Sequence, residues 1–366
     1  MRTVNTWTGR EARALRLARR FSVRAFAEHL GVGIRTVSKW ESNGGIRRPQ
    51  PAMQAALDTV LAQATAGEQA RFEELTASSA AIKRGRTTLR PWSRDDWIDD
   101  LDRARLSASQ QNFALASILA ARWLARTDSS VLDDADLHLR GRTLMLLGDV
   151  ARDQGRLTGP GSAVSTYRQA LRAFGDVRAE RRTAQVELLL TVVLEMSGEL
   201  ERSAARYREL STDPRLSALD QARARMWVGT ALTKVPESVG IDKTTAVGAI
   251  ASAVSDFEEL DEPDEWNVGQ QKLALAYLAL DKCDDAHRHI DIAQASGGIG
   301  TPLQKVKLDT ARGHILLSDR ATRSEGLTTL ELCRELAGAH QLLHQVTSID
   351  RIIGSIQDQA NPRKVS

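Results

Sequence analysis

Apolar residues near the N-terminus recur at the three- and four-residue steps that turn one face of a helix inward. Ala12, Leu15 and Ala18 line one such face, and Thr8 with Glu11 forms a T-x-x-E capping box that starts a helix near Gly9 and leaves it to stop near Arg20. Ser22 is suited to N-cap a second helix bearing Phe26, Ala27 and Leu30, and Gly31 supplies a residue able to take positive φ at the turn beyond it. A third helix is predicted from about Gly33 to Ser42, with Val37 and Trp40 inward and Ile34, Arg35, Thr36, Ser38 and Lys39 outward. Pro49 and Pro51 open a fourth, from Ala52 to about Gln63, which carries Ala56, Leu57, Val60 and Leu61. Gln69 to Leu75 reads as one more short helix. From Trp92 onward strand-like alternation is absent. Breaks at 128–130, 155–161, 212–214, 236–240, 261–263, 297–302 and 318–320 separate helices of about 12 to 20 residues. The fold class expected is all-α.

Composition and charge divide this string of helices. The chain has 366 residues, 42% hydrophobic and 27% charged, enough for two domains or a repeat array. Its net charge of +3 is the sum of unlike parts. Residues 1–60 hold eleven Arg or Lys against four acids, and the other 306 residues hold 39 basic and 43 acidic groups. A +7 head on a −4 body is the asymmetry expected when a small domain meets a polyanion, although a solvated arginine-rich face has the same composition. The division expected is a head at 1–66, a linker with a short helix at 67–92, and a helical body at 93–360. Lys83, Arg84, Arg86 and Arg90, punctuated by Gly85 and Pro91, read as linker or as a strip that follows DNA. Cys283 and Cys333 are too few for a disulfide framework. No apolar run approaches the roughly 18 to 20 residues that span a bilayer, so the chain is expected in the cytoplasm without a membrane partner.

Two short helices joined at a glycine turn, with small Ala27 at the crossing, form a helix-turn-helix, whose second helix enters the major groove of double-stranded DNA. The run from Phe21 to Gly44, and above all the T-V-S-K-W-E near its end, resembles the lambda-repressor-like, or XRE, DNA-binding domains. The resemblance covers residues 7 to about 63. Gly33 departs from the Ser or Thr usual there, and Val23 from the frequent Gln. Groove chemistry lets Arg35 and Lys39 donate to guanine, Thr36 and Ser38 reach base edges or phosphate, and Ile34 pack on a thymine methyl. Ser22, Arg24, Asn43, Arg47 and Arg48 flank this face and suit backbone contacts, as does Gly33 at the helix start.

In the body, small residues at Gly148, Thr191, Gly229, Ala274 and Gly313 recur at intervals of 43, 38, 45 and 39. In the clearest unit, Leu190 to Leu210, Gly198 marks the turn, Ser203 and Ala204 the crossing, and Tyr207 and Leu210 the groove. The pattern resembles the tetratricopeptide repeat, which implies antiparallel helix pairs stacked into a right-handed superhelix; an irregular helical domain without a groove is the alternative. With the head, it resembles the RRNPP-type receptors, quorum-sensing regulators whose superhelix binds a signalling peptide. That resemblance implies a homodimer and a concave wall lined by the first helix of each pair, here Arg142, Asp149, Arg152, Gln185, Glu195, Arg223, Thr230 and Gln271. The receptors commonly hold peptide with asparagines, yet only Asn112, Asn267 and Asn361 follow residue 92. A small molecule or a protein partner therefore stands beside the peptide, and a DNA-tethered scaffold without a ligand switch stands beside the sensor.

Catalytic and cofactor chemistry find no pattern. His340 and His344 have the i, i+4 spacing of a helical zinc pair without a third ligand, and Cys283, His287 and His289 sit in a polar helix start. Ser296 to Gly300 lacks the Lys-Ser/Thr of a phosphate loop, and no nucleophile elbow is present. No cofactor, metal or enzymatic activity is expected. On this reading Arg35→Ala costs about 1–3 kcal/mol of operator binding and relaxes specificity at one base pair, and Arg48→Ala weakens all sequences alike. Binding measured against operator and random DNA over a salt series separates the two, and equal loss on both DNAs for Arg35→Ala would remove its base-reading role.

Overall fold

A computed structural model of the chain describes residue 4 and residues 6–42, 48–81, 92–127, 132–236, 242–296 and 300–360, without the side chains of 77–81 and 356–360. Among these the fold is all-α, and two compact units divide at Leu139 and Arg140.

Unit 1 holds α1 (Gly9–Ala18), α2 (Val23–His29), α3 (Ile34–Glu41), α4 (Pro51–Ala62), α5 (Ala66–Ala81), α6 (Arg94–Ser109) and α7 (Phe113–Arg126). The capping box is formed: the Thr8 side chain accepts from the first turn and its N–H donates to Glu11. Ala12, Leu15, Ala18, Phe26, Ala27, Val37, Trp40, Leu57, Val60 and Leu61 meet in one core, joined by Trp7 and Phe72. Phe72 lies on α5, which is longer than the segment expected from 69 to 75 and closes the core from outside the four-helix head. A Cβ on Gly9 would stand 1.8 Å from the Trp40 carbonyl oxygen, so α1 and α3 touch only because that position has no side chain.

Asp58 ties the four-helix head to α6. Its carboxylate, buried on α4, accepts from the Trp7 indole and from both Nε and Nη2 of Arg103 on α6, and Nη2 also reaches the Val4 carbonyl at 2.9 Å. Both side chains are almost without solvent contact, at 2% and 1%. Behind this pair Trp97 and Trp123 stack at 5.5 Å, with Trp92 edge-on to both. The compact unit thus runs to Leu139, well past the boundary at 93 that periodicity alone places. The stretch 82–91 expected as linker lies outside the described residues.

The boundary falls within α8 (Asp134–Asp153). Unit 2 continues with α9 (Ala163–Asp176), α10 (Glu180–Met196), α11 (Leu200–Leu210), α12 (Ala218–Lys234), α13 (Lys243–Glu259), α14 (Pro263–Leu278), α15 (Cys283–Ala295), α16 (Pro302–Ser318), α17 (Arg323–Ala339) and α18 (Leu343–Ala360). The small residues of the repeat are where successive helices cross. A Cβ on Gly148 would enter the Tyr167 ring, on Gly229 the Ala246 carbonyl, and on Gly313 the Leu330 side chain. Even-numbered helices from α10 to α18 touch their even-numbered neighbours, and the odd-numbered ones make no comparable contact among the described residues. Helices on the shorter inner arc of a curved stack crowd together while outer ones splay, so the even set is the concave wall. Gly155, just beyond α8, lies with its Cβ direction 3.3 Å from the His344 amide nitrogen at the start of α18, which brings the first turn of the stack to the last.

Truncating Arg103 leaves a buried, uncompensated carboxylate. Arg103→Ala is therefore expected to cost about 3–5 kcal/mol, and Asp58→Asn paired with Arg103→Met far less. Thermal unfolding of the full chain measures both, and a loss for Arg103→Ala below about 1 kcal/mol would show that the pair does not hold the unit together.

Candidate nucleic-acid interface and concave wall

The outward face of α3 is set by what holds its other side. Val37 and Trp40 are buried against α1, and Glu41 receives a fork from Arg16, Nε to Oε1 at 2.7 Å and Nη2 to Oε2 at 2.8 Å. Arg16 Nη1 also donates to the Phe21 carbonyl at 2.9 Å, so one guanidinium fixes α1, the turn into α2 and the end of α3. The hydrogen bond to Glu41 raises the Arg16 pKa above its ordinary value, against the desolvation that lowers it. The W-E of the sequence run is thus a structural latch.

Ile34, Arg35, Ser38 and Lys39 remain exposed on the opposite side, with Ile34 at 48%, and Thr36 is half-buried. Among the described residues Arg24, Arg35 and Lys39 make no ion pair, so their charges are available to an outside anion. Ser22 caps α2, its Oγ accepting the Ala25 N–H at 3.1 Å, while Gly33 caps α3 by backbone alone. Arg48 differs from the others: its Nη1 lies 2.5 Å from Asp96 Oδ1, so a phosphate must displace a carboxylate to use it. Asn43 and Arg47 lie outside the described residues.

In unit 2 seven of the eight residues expected on the wall fall into three groups, and Arg142 stands apart. Asp149, Arg152 and Glu195 come together. Arg152 donates to Asp149 at 2.9 Å and Asp153 at 3.0 Å, the Tyr167 hydroxyl donates to Asp149 at 2.6 Å, and Glu195 takes the Tyr207 hydroxyl at 2.9 Å and Lys234 Nζ at 2.5 Å. Gln185 and Arg223 belong to a separate line: Gln185 donates to Asp220, and Arg223 to Asp220 and Glu265. Thr230 and Gln271 are buried and spend their donors on the Met226 and Lys307 carbonyls. Arg142 is half-buried on α8.

The structure adds residues to which the sequence pattern does not point. Lys272 on α14 is half-buried with its Nζ 5.4 Å from the Trp227 ring centre. Desolvation, then Lys234 and Lys307, push it down to about 7. Burial also lowers Lys307 on α16, whose neighbours include Asp153, Arg152, Lys234 and Glu195, and lowers His344 on α18. Charges from all six even helices therefore act on one another across the concave side. A signal is present in composition: only nine of the fifty basic residues are lysines, and three of them meet here.

Other candidates are structural. Asn267 donates to the Ala293 carbonyl at 2.5 Å, and Asn112 caps α7. His340 ends α17 and His344 lies on α18 across a turn, so the expected shared helix face does not exist. Among the described residues no group of three or more His, Cys, Asp or Glu is arranged to hold a metal, and no helix is long and apolar enough to cross a membrane.

A latched short helix with an exposed polar face and a curved stack of helix pairs define a class by fold, a helix-turn-helix domain followed by a repeat body. Residues 7–72 match the family model described as Helix-turn-helix domain, and this part of the chain is such a domain. The fold is similar to that of two solved Rap proteins. The structure of a Rap protein complexed with Competence and Sporulation Factor has 16% identity and a TM-score of 0.50, with 95% of this chain and 98% of that one covered. The Rap conjugation gene regulator of the plasmid pLS20, in complex with the Phr* peptide, has 11% identity and a TM-score of 0.50, with 90% and 97% covered. No curated protein matches the chain.

If Arg48 is held back by Asp96, then Asp96→Asn frees one more cation for phosphate. Affinity for random DNA is expected to rise a few-fold at low salt, with the salt slope steeper by about 1. An unchanged slope in a fluorescence-anisotropy salt series would show that Arg48 plays no part in binding.

Proposed function

We propose that the protein is a transcriptional regulator that binds double-stranded DNA through α3, acts as a homodimer on a palindromic operator, and answers to an effector held on the concave wall. The observation that carries the reading is the division of α3: its rear is consumed by Val37, Trp40 and the Arg16–Glu41 fork, while Ile34, Arg35, Ser38 and Lys39 stand outward without internal carboxylate partners. A helix of eight residues buries little surface, so useful affinity calls for two readers on paired half-sites. Arg35, Ser38 and Lys39 would read base edges, with Ser22, Arg24 and Gly33 against the backbone.

For the effector, the wall offers Asp149, Arg152 and Glu195 together with the lysines that surround them. The two Rap structures carry a Competence and Sporulation Factor and the Phr* peptide, which favours a peptide or a small molecule of similar reach on this chain. A bound effector alters DNA affinity only by favouring one arrangement of the paired heads over another.

Selection of bound fragments from a random DNA pool by the full chain tests the reading. Two inverted half-sites about 34–36 Å apart, centre to centre, are the expected outcome. Enrichment of a lone half-site would remove the dimer, and no enrichment would remove the sequence-specific regulator.

A further inference from the structure

Lys272 and Lys307 are an uncommon pair. Each is half-buried on the concave side, and among the described residues neither is matched by a carboxylate within ion-pair distance. Gln271 Nε2 bonds the Lys307 carbonyl at 2.7 Å, so the backbones that carry the two lysines are locked side by side. The carboxylates of the wall are already engaged: Glu195 by Lys234 and Tyr207, Asp149 and Asp153 by Arg152. The Trp227 ring supports Lys272 from one side without neutralising it. Two half-buried lysines on neighbouring helices of the wall, with the local carboxylates committed elsewhere, form an arrangement that lacks one component.

We propose that the concave wall is a receptor for a small organic anion, whose carboxylate or phosphate group is taken between Lys272 on α14 and Lys307 on α16. The inference rests on the reading of this wall as an effector site and names the chemistry of the effector. Lysine suits the task where arginine would not. A guanidinium stays charged in any surrounding, but a desolvated ammonium gives up its proton more readily when empty and is favoured in its charged form when an anion arrives. Lys272, lowered to about 7, faces Lys234 on α12, Lys307 on α16 and Glu195 on α10. Lys307 faces Asp153 and Arg152 on α8, Lys234 and Glu195. His344 on α18, also lowered, feels Lys234, Lys307, Arg351 and Glu195. A lysine whose folded pKa lies below its unfolded value opposes folding as pH falls from the unfolded value toward about 7, and an anion that restores the charge offsets this loss. Anion binding near pH 8 is therefore accompanied by proton uptake.

Citrate and pyrophosphate at low millimolar concentration, with chloride at matched ionic strength as control, are the probes, and the full chain without DNA is the receptor. One of the two anions is expected to give a saturable rise in unfolding midpoint on the order of 2–4 °C; citrate identifies a carboxylate ligand and pyrophosphate a phosphate one. Calorimetry at pH 8 should show a binding heat that varies with the ionisation enthalpy of the buffer. Lys272→Met and Lys307→Met keep the length of the side chain and remove its charge. Each should abolish the anion response while leaving the unliganded midpoint equal or, as pH falls toward 7 and the desolvated lysine takes on an unpaired charge, higher. A rise that follows ionic strength without saturating, or that persists in both variants, overturns the proposal. Saturable binding without any change in operator affinity would leave the anion receptor standing and remove its regulatory reading. A change in operator affinity caused by some other ligand, with no anion bound, would do the reverse.

Discussion

Two helices can lie closer than their side chains allow only where one of them has none, and both units depend on that constraint. In unit 1 the absent Cβ of Gly9 lets the start of α1 rest on the Trp40 carbonyl, which brings Arg16 within reach of Glu41 and so orients α3. In unit 2 Gly148 receives Tyr167, Gly229 receives Ala246 and Ile250, and Gly313 and Gly326 bring α16 and α17 together at backbone distance. Repetition of such close pairs leans each even-numbered helix toward the next. The wall they form is narrow enough for charges on α8 to be felt on α16, so the electrostatics of the concave side follow from packing at the crossings.

Short-range signals in the sequence are dependable because their physics is local. A capping box closes over three residues, and Thr8 with Glu11, Ser22 with Ala25 and the Pro51 start behave as their types dictate. The inward stripes of α1 to α4 are legible for the same reason. The extent of unit 1 is not, because it depends on Asp58 meeting Arg103 across 45 residues, and no local pattern says which of 47 acids finds which of 50 bases. The histidine spacing at 340 and 344 misleads for a related reason: Gln341 takes positive φ and ends the helix between them, a turn that neither glycine nor proline announces.

The outward face of α3 is more legible than the wall. On α3 a single stripe is buried, so Ile34, Arg35, Ser38 and Lys39 on the opposite side can be counted off as outward. A repeat helix such as α14 is packed on several sides, and adjacent positions diverge by about 100°. Gln271 and Lys272 are sequence neighbours with opposite fates, one spent inside on the Lys307 carbonyl and the other left on the recess. Unequal repeat lengths leave the rotation of each helix undetermined, which is why periodicity points to Thr230 and not to Lys234, one turn further along the same helix.

The charge division of the chain acquires a finer structure in the body. That body is acidic in sum, yet several of its acids are matched to arginines within a turn or across one crossing, as in Arg206 with Glu187 and Glu209, Arg215 with Glu187 and Asp213, and Arg223 with Asp220 and Glu265. Arginine, always charged and forked, suits such permanent pairs. Lys272 and Lys307 are the lysines that, among the described residues, stand on the wall without such a partner. An arginine in the same recess would hold an uncompensated charge whenever the wall stood empty, and the stack would lose stability or close over it. A lysine that sheds its proton lets the empty wall remain folded, so that empty and occupied states differ by a proton as well as by a ligand. A difference of this kind is what lets a ligand shift an equilibrium, since it does so only by the free energy that separates its binding to the two states.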